Sequence, residues 1–176
     1  MIFRIFIINL FLICLCYTKS YGGNYLQEAV NYTVKIKAQS QYPFAETKDA
    51  GIWFGAGFLI NKKKGYILTN AHVSGRGDTE LKIKFKNGSY QKAKPIYIDP
   101  EYDLAIIKIN TNKIPNFSNT AELDCNFKSK PGVIVAAFGH PKGLSFSASR
   151  GIVSQERILN ERRVIQTDAA INSGNS

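Results

Sequence analysis

Beyond the N-terminal region, hydrophobic and polar positions mostly alternate with a period of two, the pattern of β-strands with one buried face. Residues 32–37 and 81–85 show this alternation, whereas residues 104–109 and 133–138 are apolar runs typical of buried strands. Helical periodicity is suggested only near residues 25–29. The remaining predicted strands are 55–60, 66–69, 90–93, 143–149, 151–154 and 163–167.

Short strands separated by Gly and Asn predict an all-β protein built from antiparallel barrels or sandwiches. Asn87-Gly88 predicts a type I′ hairpin, because that turn needs positive φ at both central residues. A polar segment, residues 111–130, divides the strands into two groups.

The first twenty residues differ from the rest: one positive charge precedes an apolar run that is short for a bilayer span. This pattern predicts a secretory signal peptide and an exported, periplasmic or secreted protein, with an uncleaved membrane anchor as the alternative. The predicted divisions are a signal peptide (1–20), an N-terminal segment with a first barrel (21–115), a linker (116–130) and a partial second barrel (131–176).

The formal net charge of the chain is +10. The lysines are scattered along the sequence rather than grouped in a nucleic-acid-binding motif. Lys82, Lys84 and Lys86 alternate with apolar residues, which predicts a strand with a solvated lysine face. A soluble basic surface is the simpler interpretation, and contact with an anionic envelope surface is the open alternative.

Outside the predicted leader the only cysteine is Cys125, so no internal disulfide is expected. Export to a bacterial periplasm fits this composition better than a disulfide-rich extracellular scaffold does.

Three residues carry the chemistry in the order His72, Asp103, Ser176, each at a predicted strand end or in a loop. A serine hydroxyl becomes an effective nucleophile when an imidazole accepts its proton, and a carboxylate on the other ring nitrogen fixes the tautomer. His140 is the rival base and Asp168 the rival acid.

Acyl transfer also needs hydrogen-bond donors for the oxyanion, and a tight turn at the end of the sequence could supply them. Gly174 permits a conformation in which the backbone N–H groups of Gly174 and Ser176 point the same way. Two such donors would form an oxyanion hole.

Sequence blocks along the chain resemble the HtrA/DegP family of trypsin-like proteases, a branch of the chymotrypsin superfamily. Residues 55–60 with 65–73 are similar to the family's G-S-G-F-I-I and G-Y-I-L-T-N-x-H-V motifs. The other similar blocks are 99–109 (D-P-x-x-D-L-A-V-L-K-I), 138–144 (F-G-N-P-x-G-L), 149–154 (T-x-G-I-V-S) and 166–176 (Q-T-D-A-A-I-N-P-G-N-S-G-G).

The resemblance implies a double antiparallel β-barrel, here with the second barrel incomplete, and a serine endopeptidase that acts on unfolded or damaged envelope proteins. It implies that His72 is the base, Asp103 the orienting acid and Ser176 the nucleophile. It also implies a trimer or larger homo-oligomer of the full-length form, without a metal or other cofactor.

Two positions depart from the family pattern, since Ser173 replaces the usual proline and His140 the usual asparagine. Ala170 falls where the superfamily places the base of the primary specificity pocket, with Ile171 beside it. A small, uncharged residue there implies a preference for a small or apolar substrate side chain.

The resemblance also implies Gly-Gly and further barrel strands after Ser176. We therefore expect residues 1–176 alone to be poorly folded and inactive, and a longer parent protein to be active. The alternative function is a catalytically inactive, protease-like remnant that serves as a binding or holdase module.

Overall fold

The computed structural model describes residues 24–40, 51–75, 78–126, 128–140, 145–159, 161–172 and 174. The predicted signal peptide and Ser176 lie outside these ranges. In chain order the elements are α1 (Asn24–Tyr32), β1 (Thr33–Ser40), β2 (Gly51–Asn61), β3 (Tyr66–Thr69), α2 (Ala71–Ser74), β4 (Thr79–Phe85), β5 (Gln91–Asp99), β6 (Leu104–Ile109), a 3₁₀ turn (Thr111–Lys113), β7 (Ile134–Gly139), β8 (Ser147–Leu159) and β9 (Arg162–Thr167).

Six strands close into an antiparallel barrel in the order β1-β2-β3-β6-β5-β4. Their alternate side chains point inward, as the period-two pattern requires, and fill one apolar core. Closure leaves no strand edge open within the barrel. The most deeply buried large side chains of this core are Ile36, Leu59, Ile67, Leu81, Ile83 and Ile107.

The second group of strands forms a three-stranded sheet in the order β7-β8-β9. Phe138, Val153 and Ala169 are buried in this region. Its two outer strands pair only with β8 in the part of the chain that the structure describes. The predicted all-β fold, a complete first barrel followed by an incomplete second one, is thus confirmed.

Several local features differ from the sequence prediction. Strand β5 runs to Asp99, six residues beyond the strand predicted over residues 90–93. Strand β8 is continuous where two strands were predicted on either side of Arg150. The predicted type I′ turn is wrong, because Asn87 has positive φ (59°) but Gly88 does not. The short helix α2 was not predicted, since four residues are too few to show a helical period.

The segment between the two groups of strands is attached to the barrel by polar contacts. Lys62 Nζ donates to the carbonyls of Asn116 and Ser118 at 3.0 and 2.9 Å, and Ala121 N–H donates to the Leu59 carbonyl. The bounds of the linker, residues 116–130, stay a prediction. No helix in the described residues is long and apolar enough to cross a membrane.

Candidate active site

His72 lies on α2, immediately after strand β3. A helix of four residues has no stability of its own, so bonds from other elements fix it. The indole Nε1–H of Trp53 donates to the Val73 carbonyl at 2.9 Å. Ala71 N–H donates to the Asp103 carbonyl at 3.1 Å. These contacts hold the helix, and therefore His72, against the end of the barrel.

Asp103 directly precedes β6 and has a left-handed backbone, with φ of 53°. Such a conformation is uncommon outside glycine, although Asp tolerates it better than most residues. Two donors stabilise it here: Ala71 N–H and Asn70 Nδ2 each donate to the Asp103 carbonyl at 3.1 Å. The β3–α2 connection thus holds the Asp103 backbone in place.

The carboxylate of Asp103 binds His72 through both of its oxygens, one to the ring and one to the backbone. His72 Nδ1 lies 2.7 Å from Asp103 Oδ2, and the backbone N–H of His72 donates to Asp103 Oδ1 at 2.9 Å. Asn70 Nδ2 donates to Oδ2 at 3.2 Å. The side chains are 44% and 42% exposed, so the pair is accessible from solvent.

Partial burial raises the pKa of Asp103, but the donors around it have the larger combined effect. Bonds from the backbone and ring of His72, the charge of that ring and the amide of Asn70 together hold the pKa of Asp103 below its ordinary value. Asp103 is therefore ionised at neutral pH and accepts the proton on His72 Nδ1. This arrangement fixes the imidazole as the Nδ1–H tautomer with Nε2 as its basic nitrogen.

Ser176 falls outside the described residues, whereas Gly174, two residues before it, is described. Gly174 has φ of 99°, which favours glycine, and its carbonyl accepts the His140 N–H at 2.7 Å. One end of the predicted oxyanion loop is therefore tied to the end of strand β7.

The segment before that loop is bonded to β8. Ser149 Oγ donates to the Ala170 carbonyl at 2.6 Å, and Ile152 N–H donates to Asp168 Oδ1 at 2.6 Å. A Cβ on Gly151 would collide with the backbone of the neighbouring segment and with Asp168. The absence of a side chain at Gly151 allows this close approach, and Asp168, the rival acid, serves as a backbone anchor.

The predicted pocket residues lie at the surface of the described structure. Ala170 is exposed, and Ile171 is 62% exposed. They precede the predicted nucleophile, Ser176, by six and five residues in the sequence.

His140, the rival base, is only 1% exposed. Its Nδ1 accepts the Phe146 N–H at 2.9 Å, and the two rings pack edge to face at 4.7 Å. Burial first, and then the charges of Lys35 and Lys84, lower the pKa of His140 to about 4 against an opposing effect of the Val34 backbone. His140 is therefore a neutral, packed side chain at neutral pH.

Sequence reasoning assigned no role to Asn70 or Trp53. Asn70 contacts Asp103 through its side chain and precedes the helix that carries His72. Its position within the Thr-Asn-Ala-His motif was the available signal. Trp53 gave no signal, because its bond to Val73 joins strand β2 to helix α2 through a tertiary contact.

The model of the trypsin-like peptidase domain matches residues 55–176, which include both members of the pair. The chain belongs to the trypsin-like peptidase family. Its resemblance to the HtrA/DegP branch is also confirmed, since a probable periplasmic DegP-like serine endoprotease of Pseudomonas fulva is 42% identical over 126 residues. A putative serine protease HhoB of Synechocystis is 36% identical over 130 residues.

The DegP-like match covers 69% of this peptidase-family chain and 25% of the relative, and the HhoB match covers 69% and 30%. The chain thus spans about a quarter of the length of the curated relatives it matches. Among solved structures, the HtrA-type protease AlgW with a tripeptide has a TM-score of 0.71 at 28% identity, covering 86% of this chain and 47% of that one. The serine endoprotease from Yersinia pestis has a TM-score of 0.66 at 28% identity, covering 86% and 49%.

Proposed function

We propose that this protein is a serine endopeptidase in which His72, Asp103 and Ser176 form the catalytic triad. The observation that carries the proposal is the bond of 2.7 Å between His72 Nδ1 and Asp103 Oδ2, supported by the second bond from the His72 backbone. Two bonds between one carboxylate and one residue set both the position and the tautomer of the imidazole.

Each residue has a distinct part in this mechanism. His72 Nε2 accepts the hydroxyl proton of Ser176 as its oxygen attacks the scissile carbonyl, and then protonates the leaving amine. Asp103 remains ionised and stabilises the imidazolium that forms in between. In the second half of the reaction, His72 Nε2 accepts a proton from water as the water attacks the acyl-enzyme. It then returns a proton to the Ser176 oxygen as the ester bond breaks.

The N–H groups of Gly174 and Ser176 donate to the oxyanion in this proposal. The bond from His140 N–H to the Gly174 carbonyl supports it, because it restrains the peptide unit that lies between the two proposed donor N–H groups. Ala170 and Ile171 border the primary pocket, and their apolar side chains favour a small or apolar substrate residue. No metal or other cofactor takes part in any step.

We further propose that the substrates are unfolded or damaged proteins of the cell envelope. Relatives are named periplasmic serine endoproteases, and the predicted signal peptide, residues 1–20, would direct this chain to the same compartment. The full-length protein would act there as a trimer or larger homo-oligomer.

The test uses protein expressed from its own gene and purified from the exported fraction. We expect the full-length protein to hydrolyse casein and to react with a fluorophosphonate, which labels only activated serines, and residues 1–176 alone to do neither. Asp103→Asn should lower kcat about 10⁴-fold, because it loses the correct tautomer. His72→Ala and Ser176→Ala should be at least as damaging, and Ser176→Ala should also abolish labelling. Asp124→Asn, a matched change at an exposed carboxylate, should leave kcat unchanged.

A binding or holdase module is the second candidate, favoured by the exposed apolar side chains of the second sheet, such as Ile158 and Leu159 at 77% and 60% exposure. Such a protein would suppress aggregation of unfolded chains without cleaving them. Undiminished binding by all three triad variants, with no labelling of the parent protein, would favour this function over proteolysis.

A further inference from the structure

The outer face of the barrel carries lysines directly opposite one another on adjacent strands. The β1–β4 register pairs Lys35 with Lys84 and Lys37 with Lys82. The register continues with Lys82 opposite Lys92 on β5. A further pair joins β5 to β6. We call the solvent-accessible set the lysine ladder: Lys37, Lys82, Lys84, Lys92, Lys94 and Lys108. Lys35 is not part of it, because its side chain is buried and its Nζ donates to Ser145 Oγ at 3.1 Å.

The ladder follows from the alternation that builds the core. Ile36, Ile83 and Ile109 point into the barrel, so the lysines beside them point out. Adjacent strands lie about 4.8 Å apart, and every second residue along a strand is about 7 Å away. Six accessible ammonium groups are thus concentrated on four strands.

Like charges placed directly opposite each other in a sheet are destabilising. Among the described residues, Glu80 is the one carboxylate in an ion pair with the ladder, at 3.1 Å from Lys82. Its bond to Lys82 and the charges of Lys82, Lys92 and Lys37 lower the pKa of Glu80. One carboxylate therefore offsets the charges of three lysines, and this face of the barrel retains a strong excess of positive charge.

Exposed aromatic and apolar side chains lie next to these charges. Lys84 Nζ lies 5.2 Å from the centre of the Tyr90 ring, which is 40% exposed. On β5, directly after Lys94 and Pro95, Ile96 and Tyr97 are 48% and 53% exposed. A basic surface bordered by tyrosine and an aliphatic residue has the composition of a membrane-interface site.

We propose that the lysine ladder, with Tyr90, Ile96 and Tyr97 at its border, docks this protein onto a bilayer that contains anionic phospholipids. The lysines would pair with headgroup phosphates, and the border would enter the interfacial region. The apolar border favours a lipid surface over a nucleic acid, whose phosphates need only the charges. This inference is independent of the proposed proteolytic activity.

The substituted lysines of the ladder lie away from the candidate active site, whereas the border residue Tyr97 pairs with Ile106, about 10 Å along β6 from Asp103. Asp103 lies at the start of β6, and Lys108 is five residues further along it, a distance of about 17 Å along the strand. The ladder variants below therefore alter none of the proposed catalytic residues.

The experiment measures binding to vesicles of phosphatidylcholine with about a third phosphatidylglycerol at low salt. The ladder variant combines Lys92→Gln, Lys94→Gln and Lys108→Gln. Each lysine near an anionic surface contributes about fivefold in affinity, so we expect binding to weaken about 100-fold. The control variant combines Lys63→Gln, Lys128→Gln and Lys130→Gln, which removes the same charge elsewhere and should change affinity less than threefold.

Ile96→Ser separates lipid from other polyanions, because it should weaken vesicle binding while leaving any binding to a DNA duplex unchanged. Equal losses in the two lysine variants would overturn the proposal, since net charge alone would then explain binding. Binding to DNA but not to anionic vesicles would overturn it in favour of a nucleic acid partner.

A second measurement avoids substitutions that could disturb folding. Lysine acetylation of the unaltered protein, with and without anionic vesicles, should show protection at Lys92, Lys94 and Lys108 and none at Lys63 or Lys128. Uniform protection, or none in the ladder, would contradict the proposal.

Discussion

The barrel and the three-stranded sheet are built from the same kind of alternating sequence but bury it to different degrees. In the barrel, Ile36, Ile67 and Ile83 are completely buried. In the sheet, Ile158 and Ile165 are 77% and 47% exposed. A closed barrel buries its inner face against itself, whereas a single sheet has to be covered by something else.

The difference shows that strand pairing and apolar burial are separable contributions to stability. Strand β8 is thirteen residues long and pairs with β7 in its first half and with β9 in its second, yet Val153 is its only buried side chain among the described residues. Because burial of apolar area is the main favourable term in folding, we expect most of the stability to come from the barrel.

The largest expected effect compares the same substitution in the two regions. Ile83→Ala leaves a cavity in the barrel core and should lower the free energy of unfolding by about 2–5 kcal/mol. Ile158→Ala changes a side chain that is already exposed and should cost less than about 0.5 kcal/mol. Urea unfolding followed by circular dichroism measures both, and similar losses would show that the sheet contributes as much as the barrel.

A second prediction concerns His140, which packs where the two regions meet. Its pKa in the folded protein is about 4, below the ordinary value of 6.5. As the pH falls, the unfolded chain therefore takes up the proton first. The stability present above pH 6.5 should decline by about 3 kcal/mol down to pH 4 and change little from this source below it.

His140→Asn provides the test, because Asn can accept the Phe146 N–H but does not titrate. Urea midpoints measured between pH 4 and 7 should fall less steeply in this variant than in the unaltered protein. Parallel curves would mean that His140 is not buried as a neutral ring.

A third, smaller effect distinguishes two glycines. Gly151→Ala would collide with the backbone at Ala169 and should cost about 1–3 kcal/mol, with increased hydrogen exchange at the Ile152 amide. Gly88→Ala has its nearest neighbour, the Phe85 carbonyl, at 3.4 Å and should be close to neutral. Comparable losses at the two sites would contradict the close approach of β8 and the segment that follows β9.

The smallest expected effect tests repulsion across the barrel surface. Lys84→Glu places a carboxylate opposite Lys35, whose pKa is lowered by burial and then by Lys84, and should stabilise the protein by about 0.2–1 kcal/mol. The gain should shrink in high salt. Lys86→Glu, beyond the paired register, is the control, and an equal gain there would indicate a general charge effect.

Much of the fold followed from the sequence because burial and strand period act over a few residues. Strands β3 and β6 occur at the predicted residues, since each is a short apolar run bounded by polar ones. Strand β8 was predicted as two strands because Gly151 resembles a break. In the structure Gly151 continues the strand, and its lack of a side chain leaves room for Asp168 and Ala169. This close approach is a tertiary contact, so the local sequence does not predict it.

The candidate site likewise has a part that the sequence predicted and a part that only the fold determines. The resemblance to the family's motifs selected His72 and Asp103 over His140 and Asp168, and the fold brings His72 and Asp103 within hydrogen-bond distance. The positive φ of Asp103 and the contacts of Asn70 were not predictable, because they arise where the β3–α2 connection meets the start of β6. The burial of His140 likewise depends on packing against Val34 and Phe146, residues distant from each other in sequence.

Trp53 is the only tryptophan of the chain, and its indole N–H is bonded to the helix that carries His72. The protein therefore contains an intrinsic fluorophore beside its candidate active site. Loss of the bond to Val73 would expose the indole to water and shift its emission to longer wavelength. The integrity of the site can thus be followed in real time, with no substrate and no label, even in variants that lack Ser176.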